Sequence, residues 1–391
     1  MNDRAVPTPQ RRPRSAVVLT GGGARGAYQV GVLKAVAAAV GPGPSAFPII
    51  SGLSVGAINA AALAADASDF PTAVARLEAL WRSLDSSRVF RTDAQFMVGR
   101  VIRLLAQVVL GRLGVATPPS LLDNGPLHHL LRHEIDRDGI DEALASGALD
   151  ALAVTVSSYI TGQAVTFVET GEGAPTWARS RRTGRARRIG ADVVLASSAL
   201  PFVFPAVQIG ADWFGDGALR QTSPLSPAIH LGADRIFTIA NRDPAIDPIP
   251  TALPSGPPER PTLGILAGQL LDILFNDGLE SDLERLERIN ATLETMLPER
   301  REASGLRRIE TLTITPSEDI RAVTARYLGA MPWTVKLLIR TLGGWKSPYV
   351  LPSYLMFERP YIADLIALGE ADGKARADEI AAFLMPDRAV A

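Results

Sequence analysis

Phe47-Pro48-Ile49-Ile50-Ser51-Gly52-Leu53-Ser54-Val55-Gly56-Ala57-Ile58-Asn59-Ala60 decides how this chain is read. The apolar run from Phe47 to Ile50 enters the stretch as a buried strand, and an Ala-rich helical segment, Ala57 to Ala65, leaves it. Between them lies Gly52-Leu53-Ser54-Val55-Gly56, a Gly-x-Ser-x-Gly turn in the strand–turn–helix context of a nucleophile elbow. Such a tight turn has no room for side chains at its flanks. Gly52 and Gly56 remove them, which pushes Ser54 to a strained apex. The apex is also a helix N-terminus, where free N–H groups and the helix dipole favour developing negative charge. The pentapeptide can also arise by chance in a chain this rich in Gly and Ala, so the rest of the sequence has to carry the reading.

Upstream, Ser15 to Thr20 reads as a buried strand, followed by Gly21-Gly22-Gly23-Ala24-Arg25-Gly26 and a helix from Ala27 to Val40 that Gly41-Pro42-Gly43-Pro44 stops. The first 65 residues are thus β-α-β-α, which implies a parallel sheet covered by helices. The glycine loop fits the Gly-x-Gly-x-x-Gly dinucleotide fingerprint, but that reading needs an acidic residue about 20 positions on. No Asp or Glu lies between Gly26 and Asp66. A Walker A loop would end in Gly-Lys-[Ser/Thr], which is absent from this loop. What remains is a loop whose backbone N–H groups point into a cavity one β-α unit before the elbow, suited to an oxyanion. Arg25 adds positive potential to such a site or, equally, holds the loop by a structural hydrogen bond.

The chain has 391 residues, 47% hydrophobic and 21% charged, with a net charge of −1 and no cysteine. This is an ordinary globular balance, it argues against a global nucleic-acid binder, and it excludes thiol catalysis and Cys-ligated zinc. The polar start, Met1 to Arg14, lacks the apolar core of a signal peptide, and no uncharged apolar run approaches the roughly 20 residues of a membrane span. A cytoplasmic location with peripheral membrane contact is therefore expected.

Past the elbow, Pro71 to Asp150 is mostly helical in pattern, with apolar positions near helical spacing and interspersed Arg from Ala94 to Val115. Strand-like runs follow at Ala151 to Ser157 and Gln163 to Glu169, then an Arg-rich run from Arg179 to Arg188 that reads as a solvated loop or, less simply, an anionic headgroup site. A helix is expected at Ala191 to Ser198, extended chain at Val203 to Pro205 and Val207 to Ile209, a helix at Pro224 to Leu231 and a strand at Arg235 to Ala240. The Pro-rich stretch 243–261 is a loop, and two helices, Leu263 to Phe275 and Leu279 to Leu297, precede a last strand from Arg308 to Thr315. The expected organisation is a disordered tail at 1–14, a hydrolase domain at 15–316 that includes a helical segment at 263–303, and a C-terminal helical region at 317–391. Within the last, Tyr327 to Trp345 mixes Trp, aliphatic and basic residues as a membrane interface would. Ala94 to Val115, apolar with interspersed Arg, offers a second such stretch; both equally fit helices that pack on or cap the core.

An elbow serine usually has its partners in the order Ser, acid, His. Of the four histidines, His128, His129 and His133 come before any acid that fits that order, and the i, i+4 pair His129 and His133 has no evident third metal ligand. His230 follows Asp216 and satisfies the order, but it sits near the C-terminal end of a helix, where the dipole alone accounts for it. Asp216 stands between Gly215 and Gly217 after an aromatic strand end, where a carboxylate can turn back into a site. A Ser54–Asp216 dyad is therefore the favoured reading. Its carboxylate needs a water-poor cavity to become basic enough.

Four blocks now stand in order: Gly21 to Gly26, Gly52 to Gly56, Ala196 to Pro205 (Ala-Ser-x-x-x-Pro-x-x-Phe-Pro) and Asp216-Gly217-Ala218. With them the chain resembles the patatin-like phospholipases over roughly Ala16 to Thr315. Leu121 to Leu127 and Ser353 to Phe357 are also similar to segments of bacterial members. The resemblance implies a three-layer α/β/α fold with a mostly parallel central sheet, here with C-terminal helices added. It implies Ser54 as nucleophile, Asp216 as proton acceptor, an oxyanion hole from Gly21, Gly22, Gly23, Ala24, Arg25 and Gly26, and no metal or cofactor. The substrate it implies is a phospholipid or other acyl lipid, cleaved through an acyl-enzyme by a phospholipase A or lysophospholipase. Two alternatives are a Ser-His-Asp esterase using His230 on small esters and a non-catalytic lipid-binding protein.

Overall fold

The computed structural model describes residues 13–96, 99, 120–246 and 260–386. The tail to Arg12, most of the stretch from Ala94 to Val115 and the Pro-rich residues 247–259 lie outside them. Strands β1 (Ser15–Leu19), β2 (Ile49–Leu53) and β3 (Ala151–Ser158) pair in parallel, and β9 (Arg235–Ile239) and β10 (Glu310–Ile314) extend the parallel run beyond β1. β4 (Ala164–Thr170) then runs antiparallel to β3, with β6 (Arg182–Ala186) and β5 (Trp177–Arg179) at that edge. A hairpin of β7 (Val207–Ile209) and β8 (Asp212–Asp216) joins through β8 to the end of β3.

Successive side chains of a strand point to opposite faces, and here both faces are apolar. Val17, Leu19, Ile50, Leu152 and Val154 join one core, while Ala16, Val18, Ile49, Ala151 and Ala153 join another. The central strands are therefore continuous hydrophobic runs between two helical layers, as parallel sheets require. The first layer includes α1 (Ala27–Val40), α2 (Val55–Ala65), α3 (Phe70–Ser83), α4 (Gly125–Glu134), α5 (Arg137–Ser146) and α6 (Ala191–Ser197). The second is built from α7 (Ser226–His230) and, after a helical rod that begins as α8 (Leu263–Asp272), from α9 (Gly278–Thr295). This is the three-layer α/β/α arrangement expected from the sequence.

The C-terminal helices are α10 (Ile320–Tyr327), α11 (Trp333–Thr341), α12 (Val350–Leu355), α13 (Arg359–Ala375) and α14 (Ala377–Leu384). They share the first core through Val323, Val335, Leu355, Leu365 and Ile380. α13 lies so close against α1 that a Cβ on Gly31 would sit 2.0 Å from the Ile366 carbonyl oxygen, and one on Gly369 would sit 2.2 Å from that of Tyr28. The buried Tyr28 hydroxyl donates to Asp372 at 2.9 Å across the same contact.

Three local expectations differ from the structure. The Arg-rich run is not a loop: it forms the β5–β6 hairpin, whose pairing to β4 is a tertiary event that the alternation of its side chains does not announce. Val203 to Pro205 is a turn rather than extended chain, tied by Val203 N and Phe204 N to the Leu200 carbonyl. The two helices expected from Leu263 to Leu297 are one rod, since a π-helical turn at Ile273–Asp277 carries α8 into α9 without a break.

Candidate active site

The glycine loop, the elbow and Asn241 follow the carboxyl ends of β1, β2 and β9, where ligands bind in open α/β sheets. Ser54 has φ of 54° and is buried. The strain is enforced sterically. A Cβ on Gly52 would lie 2.3 Å from the Gly56 carbonyl oxygen, and one on Gly56 would lie 2.0 Å from that of Leu19. Ser54 N donates to Ser197 Oγ at 2.9 Å, Ser197 Oγ donates to the Thr155 carbonyl at 2.7 Å, and Ser198 Oγ donates to the Ser54 carbonyl at 3.1 Å. The two serines of the Ala196-Ser197-Ser198 block thus pin the elbow from α6, which its sequence position alone does not show.

Asp216 comes from the end of β8, whose pairing with Val156 of β3 brings the carboxylate to the elbow. Its Oδ1 accepts from Ala218 N at 2.9 Å, and its Oδ2 is buried with no hydrogen bond of standard geometry. Burial pushes the carboxyl up to about 7, although the neighbouring Ser54 hydroxyl and the Ala218 amide hold it down in part. Desolvation wins because one oxygen has only weakly aligned help. The result is a carboxylate close to neutral pKa, suited to general-base work.

Ser54, Asp216 and Gly23 line one cavity with a predominantly apolar wall, among its members Leu80, Trp81, Leu127, Leu130, Phe275 and Phe357. The carboxylate and the serine therefore share a water-poor chamber. His230 is not part of its lining: its Nδ1 is 2.8 Å from the Ser226 carbonyl and its ring stacks on Trp177 at 4.7 Å, among second-layer residues. His129 and His133 face each other edge-on on α4, with ring centroids 4.5 Å apart.

The glycine loop lies directly against Ser54. A Cβ on Gly21 would meet Phe275 at 2.3 Å and Ser54 Cβ at 2.8 Å. Gly23 has φ of +55°, and a Cβ there would sit 2.4 Å from the Tyr354 carbonyl oxygen. From Gly23 to Gly26 the chain turns as a 3₁₀ helix into α1. Asn241 Nδ2 donates to the Gly21 carbonyl at 2.6 Å, a support that no motif announced. The Arg25 side chain is buried and does the structural job. Nε and Nη2 bond to Ser353 Oγ at 3.0 and 2.7 Å, Nη1 reaches Asp272 at 3.1 Å, and the guanidinium lies over the Tyr354 ring. Behind the loop, Trp81 Nε1 donates to Asn59 Oδ1, and Asn59 Nδ2 donates to Gln29 Oε1. The chain ends where Gln29 Nε2 donates to the Thr20 carbonyl.

Phe275, Trp81 and Asn241 escaped the sequence reading because each reaches the site from an element with no motif of its own, and Ser197, although inside the Ala196 to Pro205 block, showed no role there until its bonds to the elbow were seen. The segment Ser353 to Phe357, noted only for similarity, contributes Tyr354, Leu355 and Phe357 to the cavity wall.

A strand–elbow–helix serine facing a buried aspartate under a glycine loop, in an α/β/α sheet, is the architecture of a hydrolase. The sequence profile of patatin-like phospholipases matches residues 17–229. The chain belongs to the patatin-like phospholipase family, whose members are lipid acyl hydrolases. No curated protein matches it. Among solved structures it is similar to VipD from Legionella pneumophila, at 14% identity and a TM-score of 0.38, over 94% of this chain and 67% of that one. It is also similar to a chain of the ExoU–SpcU complex of the type III secretion system of Pseudomonas aeruginosa, at 16% identity and a TM-score of 0.26, over 94% and 76%. Scores this low leave the family assignment resting on the sequence match. No described helix is long and apolar enough to cross a membrane.

Proposed function

We propose that the protein is a phospholipase A or lysophospholipase that cleaves a fatty-acyl ester with a Ser54–Asp216 dyad. The observation that carries this is the position of Ser54 and Asp216, from two distant segments, in the wall of one apolar chamber. Ser54 Oγ attacks the ester carbonyl carbon and passes its proton to Asp216, while the carbonyl oxygen becomes an oxyanion held by N–H groups of the Gly21–Gly26 loop and the start of α2. Collapse breaks the ester C–O bond, and Asp216 returns the proton to the departing alkoxide. Water then attacks the acyl-enzyme, loses a proton to Asp216, and the fatty acid leaves as Ser54 regains its hydrogen. The apolar wall takes the acyl chain and keeps Asp216 poorly solvated.

The test is hydrolysis of a phospholipid with a reporter acyl chain. Ser54→Ala and Asp216→Asn should each abolish it, since members of one catalytic unit fail together. His230→Ala should retain most of it. A folded but inactive His230→Ala protein would transfer the base role to the imidazole.

A further inference from the structure

The rod that begins at Leu263 faces two ways. Its inner side packs at Gly268 against Val350 and delivers Phe275, by way of the π turn, to the cavity wall beside Gly21. Its outer side exposes Leu263 (71%), Leu266 (45%), Leu270 (54%) and Ile273 (57%). At about 100° per residue these four fall within an arc of about 80°. No charged residue occurs from Leu263 to Leu271. The adjoining helix α11 repeats the pattern. Trp333 and Leu337 are exposed on one side while Val335 and Ile339 are buried. The two helices meet end to start, with Gly264 N donating to the Leu342 carbonyl at 2.7 Å and Thr262 Oγ1 to the Gly343 carbonyl at 2.8 Å. Basic groups border the apolar surface: Arg340 is exposed and lies over the Trp345 ring, and Lys336 is on the same helix.

We infer that the outer face of α8, continued by Trp333 and Leu337 of α11, is the surface that docks the protein on an anionic lipid bilayer. Four exposed aliphatic side chains in a charge-free stripe, with an exposed tryptophan and cations beside them, match the layered chemistry of such a surface: acyl chains below, anionic headgroups above. The stripe also lies on the element whose inner side walls the cavity. Asp272, at the end of that helix, receives the Arg25 side chain that holds the glycine loop. Docking there brings the bilayer alongside the chamber. This assignment rests on the reading of the substrate as a membrane lipid and adds where the membrane is met.

Ser54→Ala protein is mixed with vesicles of phosphatidylcholine alone or with phosphatidylglycerol added, and bound protein is measured by sedimentation. Binding should be stronger on the anionic vesicles and weaken with salt. Leu263→Glu/Leu270→Glu in the same background should lower it on the order of tenfold or more. With Ser54 restored, the double variant should still hydrolyse a monomeric short-chain ester within about twofold of the parent, because neither leucine lines the cavity. Leu263→Gln/Leu270→Gln, a milder pair, should lower binding in the same direction and covers a folding failure of the glutamate pair. Vesicle binding unaltered by either pair overturns the assignment. So does a pair that dissociates a dimer while leaving vesicle binding intact, which would make this face an interface between copies. Ester hydrolysis without stripe-dependent binding would remove the docking surface and leave the hydrolase. Stripe-dependent binding with no hydrolysis of any ester would do the reverse.

Discussion

Replacing Asp216 by Asn should alter stability in a pH-dependent way, and the size follows from its burial. The unfolded carboxyl titrates near 3.8 and the folded one near 7. The folded state therefore binds this proton more tightly. The stability linked to it is fully present below the unfolded pKa, is lost as pH rises, and is gone above about 7. Above both values the buried charge costs about 4 kcal/mol, whereas near pH 5, where the folded group is still protonated, the cost is about 1.5 kcal/mol. Asn keeps the acceptor for Ala218 N and carries no charge at either pH. Urea denaturation of the two proteins should show Asp216→Asn gaining about 3 kcal/mol on wild type between about pH 5 and about pH 8. The same group should give the wild-type kcat/KM an acid limb that rises through about pH 7 as the base deprotonates. A stability difference that stays constant with pH would show that Asp216 does not titrate in this window, and the account of it as a desolvated base would fail.

Gly23→Ala places a Cβ against the Tyr354 carbonyl at positive φ. It should reduce kcat by about 10²–10³ with little change in KM in steady-state assays, because the oxyanion forms only along the reaction path. Asn241→Ala removes the bond to the Gly21 carbonyl. It should lower kcat on the order of tenfold at unchanged KM, and an equal loss of binding in KM would refute a role confined to the loop. Gly31→Ala forces α1 and α13 apart at the 2.0 Å approach to Ile366. It should destabilise the whole protein by about 1–3 kcal/mol in one transition, whereas an early transition confined to the C-terminal helices would show that they fold as a separate unit.

Much of the first 65 residues was legible because the constraints on them are local. A serine at the apex between β2 and α2 needs small neighbours, and Gly52 and Gly56 show that need in the sequence itself. The glycine loop is similar: the absence of an acid before Asp66 and of a terminal Gly-Lys removed the nucleotide readings without recourse to the fold. The apolar run from Ser15 to Thr20 announced a buried strand for the same reason, and Ala151 to Ser157 read as a strand, while its parallel pairing to β2 was shown by the structure. The π turn from Ile273 to Asp277 was not legible, because its sequence suits an α-helix, and the shift that turns Phe275 inward is set by what it packs against. The β5–β6 hairpin depends on the free edge of β4, and its arginines disclose nothing of that partner.

The sequence by itself determined the β-α-β-α order of the first 65 residues and the position of the strained serine, and it argued against a nucleotide reading of the glycine loop, since each rests on sterics or residue types along one short stretch of chain. Only the tertiary structure decided that Arg25 turns away to Asp272 and Ser353, and that Asn241 and Ser197 support the loop and the elbow. It also decided that His230 stacks on Trp177 while Asp216 shares a cavity with Ser54. Those outcomes depend on which residues from distant segments meet in the interior. The desolvation that pushes Asp216 up to about 7 exists only once β8 has paired with β3 and the chamber has closed around it.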